Sequence, residues 1–214
     1  AQYTLKTVPS PDAVRSVATE LDRFDGGFHH VMVLRASGLR IAEFAALRVE
    51  DVDLDNLMLD LRRQGRRSVR WSPTAPGEGD DVWTTRLKGR QARKVHVWAV
   101  ARDSLEWLVA NAVDGWLVPP DNGQGWWLDA LNRRINKAFA EAGWPHAQRC
   151  HWLRHHYGTY SLAASPNGYG FSVDTVSEWM GHSTKQTTID MYWHGTSTGT
   201  VDFGAITGRE LGEK

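Results

Sequence analysis

The spacing of apolar side chains divides most of this chain into helices, with one strand-like region before the middle. Val14, Val17 and Leu21 recur at three- and four-residue intervals, the period of one buried helix face. Ser10-Pro11 starts that helix, with serine as N-cap and proline at the first helical position, and Gly26-Gly27 ends it. Phe28 to Arg35 is largely apolar (Val31, Val33, Leu34), which predicts a buried helix stopping near Ser37-Gly38. Ile41, Phe44 and Leu47 mark the core side of a helix over residues 39–47. Further on, Leu105, Leu108, Val109 and Ala112 mark one helix. Leu128, Leu131, Ile135, Ala138, Phe139 and Ala142 mark another, which stops at Gly143. Leu153, Tyr157 and Tyr160 give a third its apolar face. Val173, Val176 and Met180 form a short amphipathic helix ended by Gly181. Ser183-Thr184-Lys185-Gln186 has the form of a capping box and opens a last helix that carries Tyr192.

The strand signals are fewer. Val52 to Leu61 alternates in part and suggests a strand. Val82-Trp83-Thr84-Thr85 and Lys94-Val95-His96-Val97-Trp98 are β-branched and aromatic, and a basic stretch bearing Gly89 joins them. This predicts a hairpin with Lys88 near its tip. Residues 72–81 and 164–172 read as loops. The expected fold is α+β, mainly α-helical, with a small antiparallel sheet or hairpin on one edge. One domain over residues 10–195 accounts for the pattern, with a linker at 1–9 and a weakly patterned tail at 196–214.

Composition narrows the classes. A length of 214 residues suits one sizeable domain, and 41% apolar with 23% charged residues is ordinary for a soluble globular chain. No apolar run reaches the roughly 18 residues of a membrane helix, and no basic-then-apolar leader opens the chain. The single cysteine, Cys150, excludes an internal disulfide framework and fits a reducing compartment. The missing initiator methionine points to processing or a cut chain. A net charge of zero argues against a non-specific nucleic-acid binder, yet the charge is uneven. Arg62, Arg63, Arg66, Arg67 and Arg70 crowd one segment, and Arg86, Lys88, Arg90, Arg93 and Lys94 the next. Two solvated hairpins or a cationic surface for a phosphate backbone would both produce this pattern.

The chemistry concentrates in His151-Trp152-Leu153-Arg154-His155-His156. On a helix, His151, Arg154 and His155 share one face, opposite the apolar one. A cationic, proton-bearing face suits an anion such as phosphate. His151 and His155 at i, i+4 also have metal-ligand spacing, but no glutamate follows His151 as in a zincin motif. Asp51, Asp53 and Asp55 resemble a metal-binding carboxylate cluster, though their strand-turn setting favours a solvated turn. No metal site and no cofactor are expected. Arg40 and Glu43 at i, i+3 are either a surface ion pair or part of a site. Tyr157, Tyr160 and Cys150 read as core, and Tyr3 and Tyr169 lack a chemical context.

Five stretches in order carry a resemblance. They are Ser37-Gly38-Leu39-Arg40-Ile41-Ala42-Glu43, Leu87-Lys88-Gly89, His151-Trp152-Leu153-Arg154-His155, Met180-Gly181-His182-Ser183 and Thr187-Thr188-Ile189-Asp190-Met191-Tyr192. With them the sequence resembles the tyrosine recombinase (phage integrase) family, over roughly residues 10 to 195. The resemblance implies that family's DNA breaking-rejoining catalytic fold and a DNA strand transferase that needs neither metal nor nucleotide. It implies that Tyr192 attacks the scissile phosphate, leaving a 3′-phosphotyrosyl link and a free 5′-hydroxyl. Arg40 and Arg154 would clamp the non-bridging oxygens, His182 would be a further donor, and His151 would donate to the phosphate or accept the tyrosine proton. Lys88 would protonate the departing 5′-oxygen, with Lys94 as the competing lysine. Glu43 and His155 would support the site, and Arg62, Arg66, Arg67, Arg90 and Arg93 are candidates for the DNA backbone.

The implied partners are double-stranded DNA bearing a specific recombination site, further copies forming a homotetramer on paired duplexes, and accessory DNA-bending proteins, with no membrane. A fragment would be monomeric. The implied location is the cytoplasm, at the nucleoid of a bacterial or phage-infected cell, and the implied biology is DNA integration, including that of viral genomes. The tail after Tyr192 would dock on a neighbouring copy. The helical core-binding domain that usually precedes this one has no counterpart in the sequence, so a catalytic-domain fragment is expected. Two other classes remain open: a non-catalytic DNA-binding relative, and a type IB topoisomerase-like enzyme.

Overall fold

A computed structural model describes residues 3–4, 6–65, 84–87, 92–119, 127–144 and 150–192. Lys88, Arg66, Arg67 and Arg90, the 72–81 loop and the 196–214 tail lie outside these residues. Helix α1, Pro11–Leu21, starts as its sequence predicts: Ser10 Oγ accepts from the Ala13 N–H at 3.2 Å, and Val14, Val17, Ala18 and Leu21 are buried. Helix α2, Gly27–Ser37, is buried from Val31 to Ser37. It ends at Gly38, whose φ of 63° is a left-handed conformation that glycine adopts without a Cβ penalty.

Helix α3, Ile41–Ala45, is shorter than the 39–47 expected. The chain leaves it to pair with a later segment: the Leu47 carbonyl accepts from Leu117 N–H, and Val49 N–H donates to the Gly115 carbonyl. The single strand expected over 52–61 is instead a tight hairpin of β1, Val52–Asp53, and β2, Met58–Leu61. Asp53 makes the turn, accepting from the Asn56 backbone N–H at 3.0 Å and its side-chain Nδ2 at 2.8 Å.

Three more strands follow: β3, Arg63–Gly65, β4, Thr84–Arg86, and β5, Arg93–His96. The expected hairpin between the last two is not formed among the described residues. Strand β5 pairs antiparallel with β2 to give the order β1-β2-β5, while β4 pairs with β3. Register follows burial: Leu59 sits opposite Val95, and Leu59, Leu61 and Val95 are all buried.

The second half is helical: α4, Arg102–Ala110, α5, Trp127–Glu141, α6, His151–Leu162, α7, Val173–Met180, and α8, Lys185–Tyr192. Helix α4 buries Leu105 and Leu108, and Val109 and Ala112 pack partly buried against the core. Helix α6 packs on α2, α7 and α8. It is enclosed from Leu153 to Leu162, so Arg154, His155 and His156 are buried rather than displayed on an open polar face. The result is a mainly α-helical α+β domain with a small antiparallel sheet. No helix among the described residues is long and apolar enough to cross a membrane.

Gly38 is a tight joint between α2 and α6. A Cβ there would lie 2.4 Å from Tyr157 Cδ1, on a backbone at φ +63°. Gly38→Ala should cost at least about 2 kcal/mol from left-handed strain and overpacking together, read from the denaturant midpoint. An unchanged midpoint would contradict the packing described.

Candidate active site

Arg154 is 3% exposed. Its guanidinium bridges two helix ends, Nη1 donating to the Gly38 carbonyl and Nη2 to the Met180 carbonyl, both at 2.6 Å. Each carbonyl lies where a helix stops. Helix C-termini leave such acceptors without an intrahelical donor, so a buried cation satisfies them and is held by them. Burial lowers Arg154 to about 10, still charged at neutral pH.

Glu43 is the counter-ion of the cluster. Its carboxylate accepts from the Arg40 backbone N–H, from Arg40 Nη1 and from Arg93 Nη2, each at 2.9 Å. The reach back to Arg40 N–H is half of a capping box, so the motif that starts α3 also positions the arginine. Arg93 Nε donates to the Trp179 carbonyl at 3.0 Å. Burial would raise the Glu43 carboxyl. The Arg93 charge and hydrogen bond, with the charges of Arg40 and Arg154, outweigh it and hold Glu43 below the usual range. Three guanidiniums thus surround one carboxylate, which leaves a net cationic pocket suited to an anion.

Gly181 closes α7 at φ 64°, its N–H donating to the Glu178 carbonyl and that of His182 to the Ser177 carbonyl. The turn delivers His182 to the site, where Nδ1 lies 2.7 Å from Thr188 Oγ1 on α8. The Tyr192 ring, 2% exposed, stacks parallel to His182 at 6.2 Å between centroids. The Tyr192 hydroxyl is 2.9 Å from His155 Nδ1. Gly158 makes the close approach possible, since a Cβ there would sit 3.0 Å from Tyr192 Cε2 and Cζ.

Burial pushes the Tyr192 phenol up to about 12, against the opposing charges of Arg154 and Arg40. Burial lowers His155 to about 3 and His182 to about 4, and the Arg154 charge acts in the same direction on both. His151 keeps an exposed edge at the start of α6; partial desolvation, then the Arg154 and Arg40 charges, lower it too. At neutral pH these imidazoles are uncharged, able both to donate and to accept a proton.

Of the residues singled out in the sequence, Arg40, Glu43, His151, Arg154, His155, His182 and Tyr192 converge here. Lys94 does not. It is exposed on β5, where neighbouring residues point to opposite faces, and its strand neighbour Arg93 faces Glu43. Arg93 itself is tied to the pocket rather than spread on the surface. Arg62 is exposed and paired with Asp60 at 2.7 Å. Asp51 binds Arg63 at 2.8 Å, and Cys150 is buried with its thiol pushed up to about 12. Among the described residues no group of three or more His, Cys, Asp or Glu is placed to hold a metal. Gly158, Thr188 and Tyr3 also border the pocket, although Thr188 figures in the sequence only within its motif stretch and Tyr3 lacks a chemical context there. Only Gly158 carried a signal, as a glycine inside a helical pattern, where it costs about 1 kcal/mol relative to alanine.

Residues 6–198 match the phage integrase family. Two curated proteins described as integrase/recombinase, from Escherichia coli and Pseudomonas aeruginosa, are each 26% identical over 89% of this chain. The chain spans about 60% of their length. Among solved structures, the Tn1549 transposon integrase in complex with circular intermediate DNA superposes with a TM-score of 0.64 at 21% identity, over 89% of this chain and 64% of that one. The XerA recombinase gives 0.60 at 19%, over 92% and 61%. The catalytic domain of bacteriophage HP1 integrase gives 0.56 at 18%, over 89% and 86%. At these identities the structural likeness establishes the fold.

The Glu43 hub has a pH signature. A carboxyl held low in the folded state adds stability above its usual value of 4.5 and loses it as pH falls through the lowered folded value. Glu43→Gln should therefore cost about 3 kcal/mol at pH 7, by leaving Arg40, Arg93 and the buried Arg154 without their counter-charge. Chemical denaturation of both proteins should show the gap closing below pH 4.5. Both should also weaken as pH drops below 6.5, because the unfolded histidines take up protons that His155 and His182 refuse when folded. A gap that stays constant into acid would contradict the assignment.

Proposed function

From the premise that this chain belongs to the phage integrase family, we propose that it is a DNA strand transferase in which Tyr192 is the nucleophile. The observation that carries the reading is the Tyr192 hydroxyl. It is held beside a buried arginine and two neutral histidines, in a pocket where cations outnumber anions. A phosphodiester is anionic, and its transition state gathers charge on the equatorial oxygens. Arg40 and Arg154 offer planar guanidinium donors there, with His182 as a third, and fixed donors of this kind are worth about 3–4 kcal/mol each.

The Tyr192 oxygen attacks phosphorus, and its proton passes to a neighbouring imidazole, His151 or His155. The phosphorus–5′-oxygen bond breaks, and the departing oxygen takes a proton from Lys88, assigned from the sequence alone. A 3′-phosphotyrosyl ester conserves the energy of the broken bond, so a 5′-hydroxyl can reverse the step without a nucleotide. A phenol raised to about 12 must lose its proton as it attacks, which is why a neutral imidazole at 2.9 Å matters. Arg62, Arg66, Arg67 and Arg90 are the proposed contacts to the DNA backbone, while Arg93 acts through Glu43. Residues 10–195 are the proposed catalytic domain. The finer assignments extend the resemblance: a specific recombination site, a homotetramer on paired duplexes, accessory bending proteins, and a 196–214 tail that docks on a neighbour.

The chain, given a pool of randomised nicked duplexes, should form an SDS-resistant protein–DNA adduct. Tyr192→Phe should abolish the adduct, and EDTA should leave the wild-type yield unchanged. An adduct that survives Tyr192→Phe, or that EDTA eliminates, would overturn the proposal.

A further inference from the structure

We propose that Tyr3, in the segment leading into α1, is a positioning residue for the Tyr192 nucleophile. The inference rests on the strand-transferase reading above and extends it to a part of the chain that carries none of the family's motifs. The Tyr3 ring stacks on the His155 imidazole, 3.6 Å between centroids and 14° from parallel. Its backbone N–H donates to the Met191 carbonyl at 2.7 Å, one residue before the nucleophile. One residue thus holds both ends of the contact between His155 and Tyr192, the imidazole by its face and the last turn of α8 by its backbone.

The segment is itself anchored. Thr7 Oγ1 accepts from Thr4 N–H at 2.8 Å, Val8 is buried, and His156 Nδ1 donates to the Pro9 carbonyl at 2.7 Å. Tyr3 and Pro9 therefore grip two successive histidines of α6. Tyr3 also meets the Trp152 edge at 5.4 Å, and its carbonyl accepts from Thr159 Oγ1 at 3.5 Å.

The Tyr3 ring also keeps water from one face of His155. The other groups around that imidazole are His151, Trp152 and Arg154 on its own helix, His182 after α7, and Tyr192 on α8. Desolvation, with the Arg154 charge acting in the same direction, keeps the ring neutral. With its proton on Nε2, Nδ1 accepts from the Tyr192 hydroxyl. Removing the Tyr3 ring admits water, lets His155 climb toward its ordinary 6.5, and so lets mild acid close the acceptor.

The test compares wild type, Tyr3→Phe and Tyr3→Ala at saturating randomised nicked duplex. Tyr3→Phe, which keeps ring and backbone, should match wild type. Tyr3→Ala should form adduct about tenfold more slowly or worse at pH 7, with unchanged gel-shift affinity and an unchanged circular dichroism spectrum. Its rate should fall further between pH 6.5 and pH 5, where wild type stays flat, and imidazole NMR should show His155 titrating in that window only in Tyr3→Ala. A Tyr3→Ala chain equal to wild type in rate and pH profile would overturn this inference and leave the strand-transferase reading standing. A wild-type chain that forms no adduct would overturn both.

Discussion

Burying the Arg154 guanidinium is the constraint around which the other parts are arranged. A cation without water must find acceptors, and here they are the carbonyls that close α2 and α7. Those two ends are also where Gly38 precedes Arg40 and where Gly181 delivers His182. Satisfying one side chain therefore fixes the relative positions of three helices and of the two residues flanking it in the pocket. Glu43 then offsets part of the surplus charge, tying Arg40 at the start of α3 to Arg93 of the sheet.

The local parts of this arrangement were legible in the sequence. Ser10-Pro11, Gly38, Gly143 and Gly181 mark helix ends through conformations that only their own residue types favour. The ordered arginines, histidines and tyrosine are the residues that converge in one pocket. Pairing that depends on distant partners was not legible. The segments at 82–85 and 94–98 looked like two arms of one hairpin, yet β4 and β5 join the 58–65 stretch instead, because burying Leu59, Leu61 and Val95 together decides the register. Helix α6 looked amphipathic because the groups that enclose Arg154 and His155 come from Gly38, Met180, Tyr192 and Tyr3, at least 26 residues away along the chain. Arg93 read as a surface cation for the same reason.

The resting site is electrically unusual for one meant to bind an anion. Its arginines are charged, while the His155 and His182 imidazoles, buried beside them, are neutral. Under the proposed strand transfer, an incoming phosphate would supply the missing negative charge. It would stabilise protonated imidazole just as the tyrosine gives up its proton, so substrate binding and proton transfer would reinforce one another.

The most direct test of the account is to find which residue carries the DNA. Wild-type adduct trapped on a nicked duplex, digested with protease and nuclease, should yield one peptide bearing a 3′-linked nucleotide. Fragmentation should place it on Tyr192. Attachment at Tyr157, Tyr160, a histidine or Cys150, or linkage through the 5′-phosphate, would contradict it.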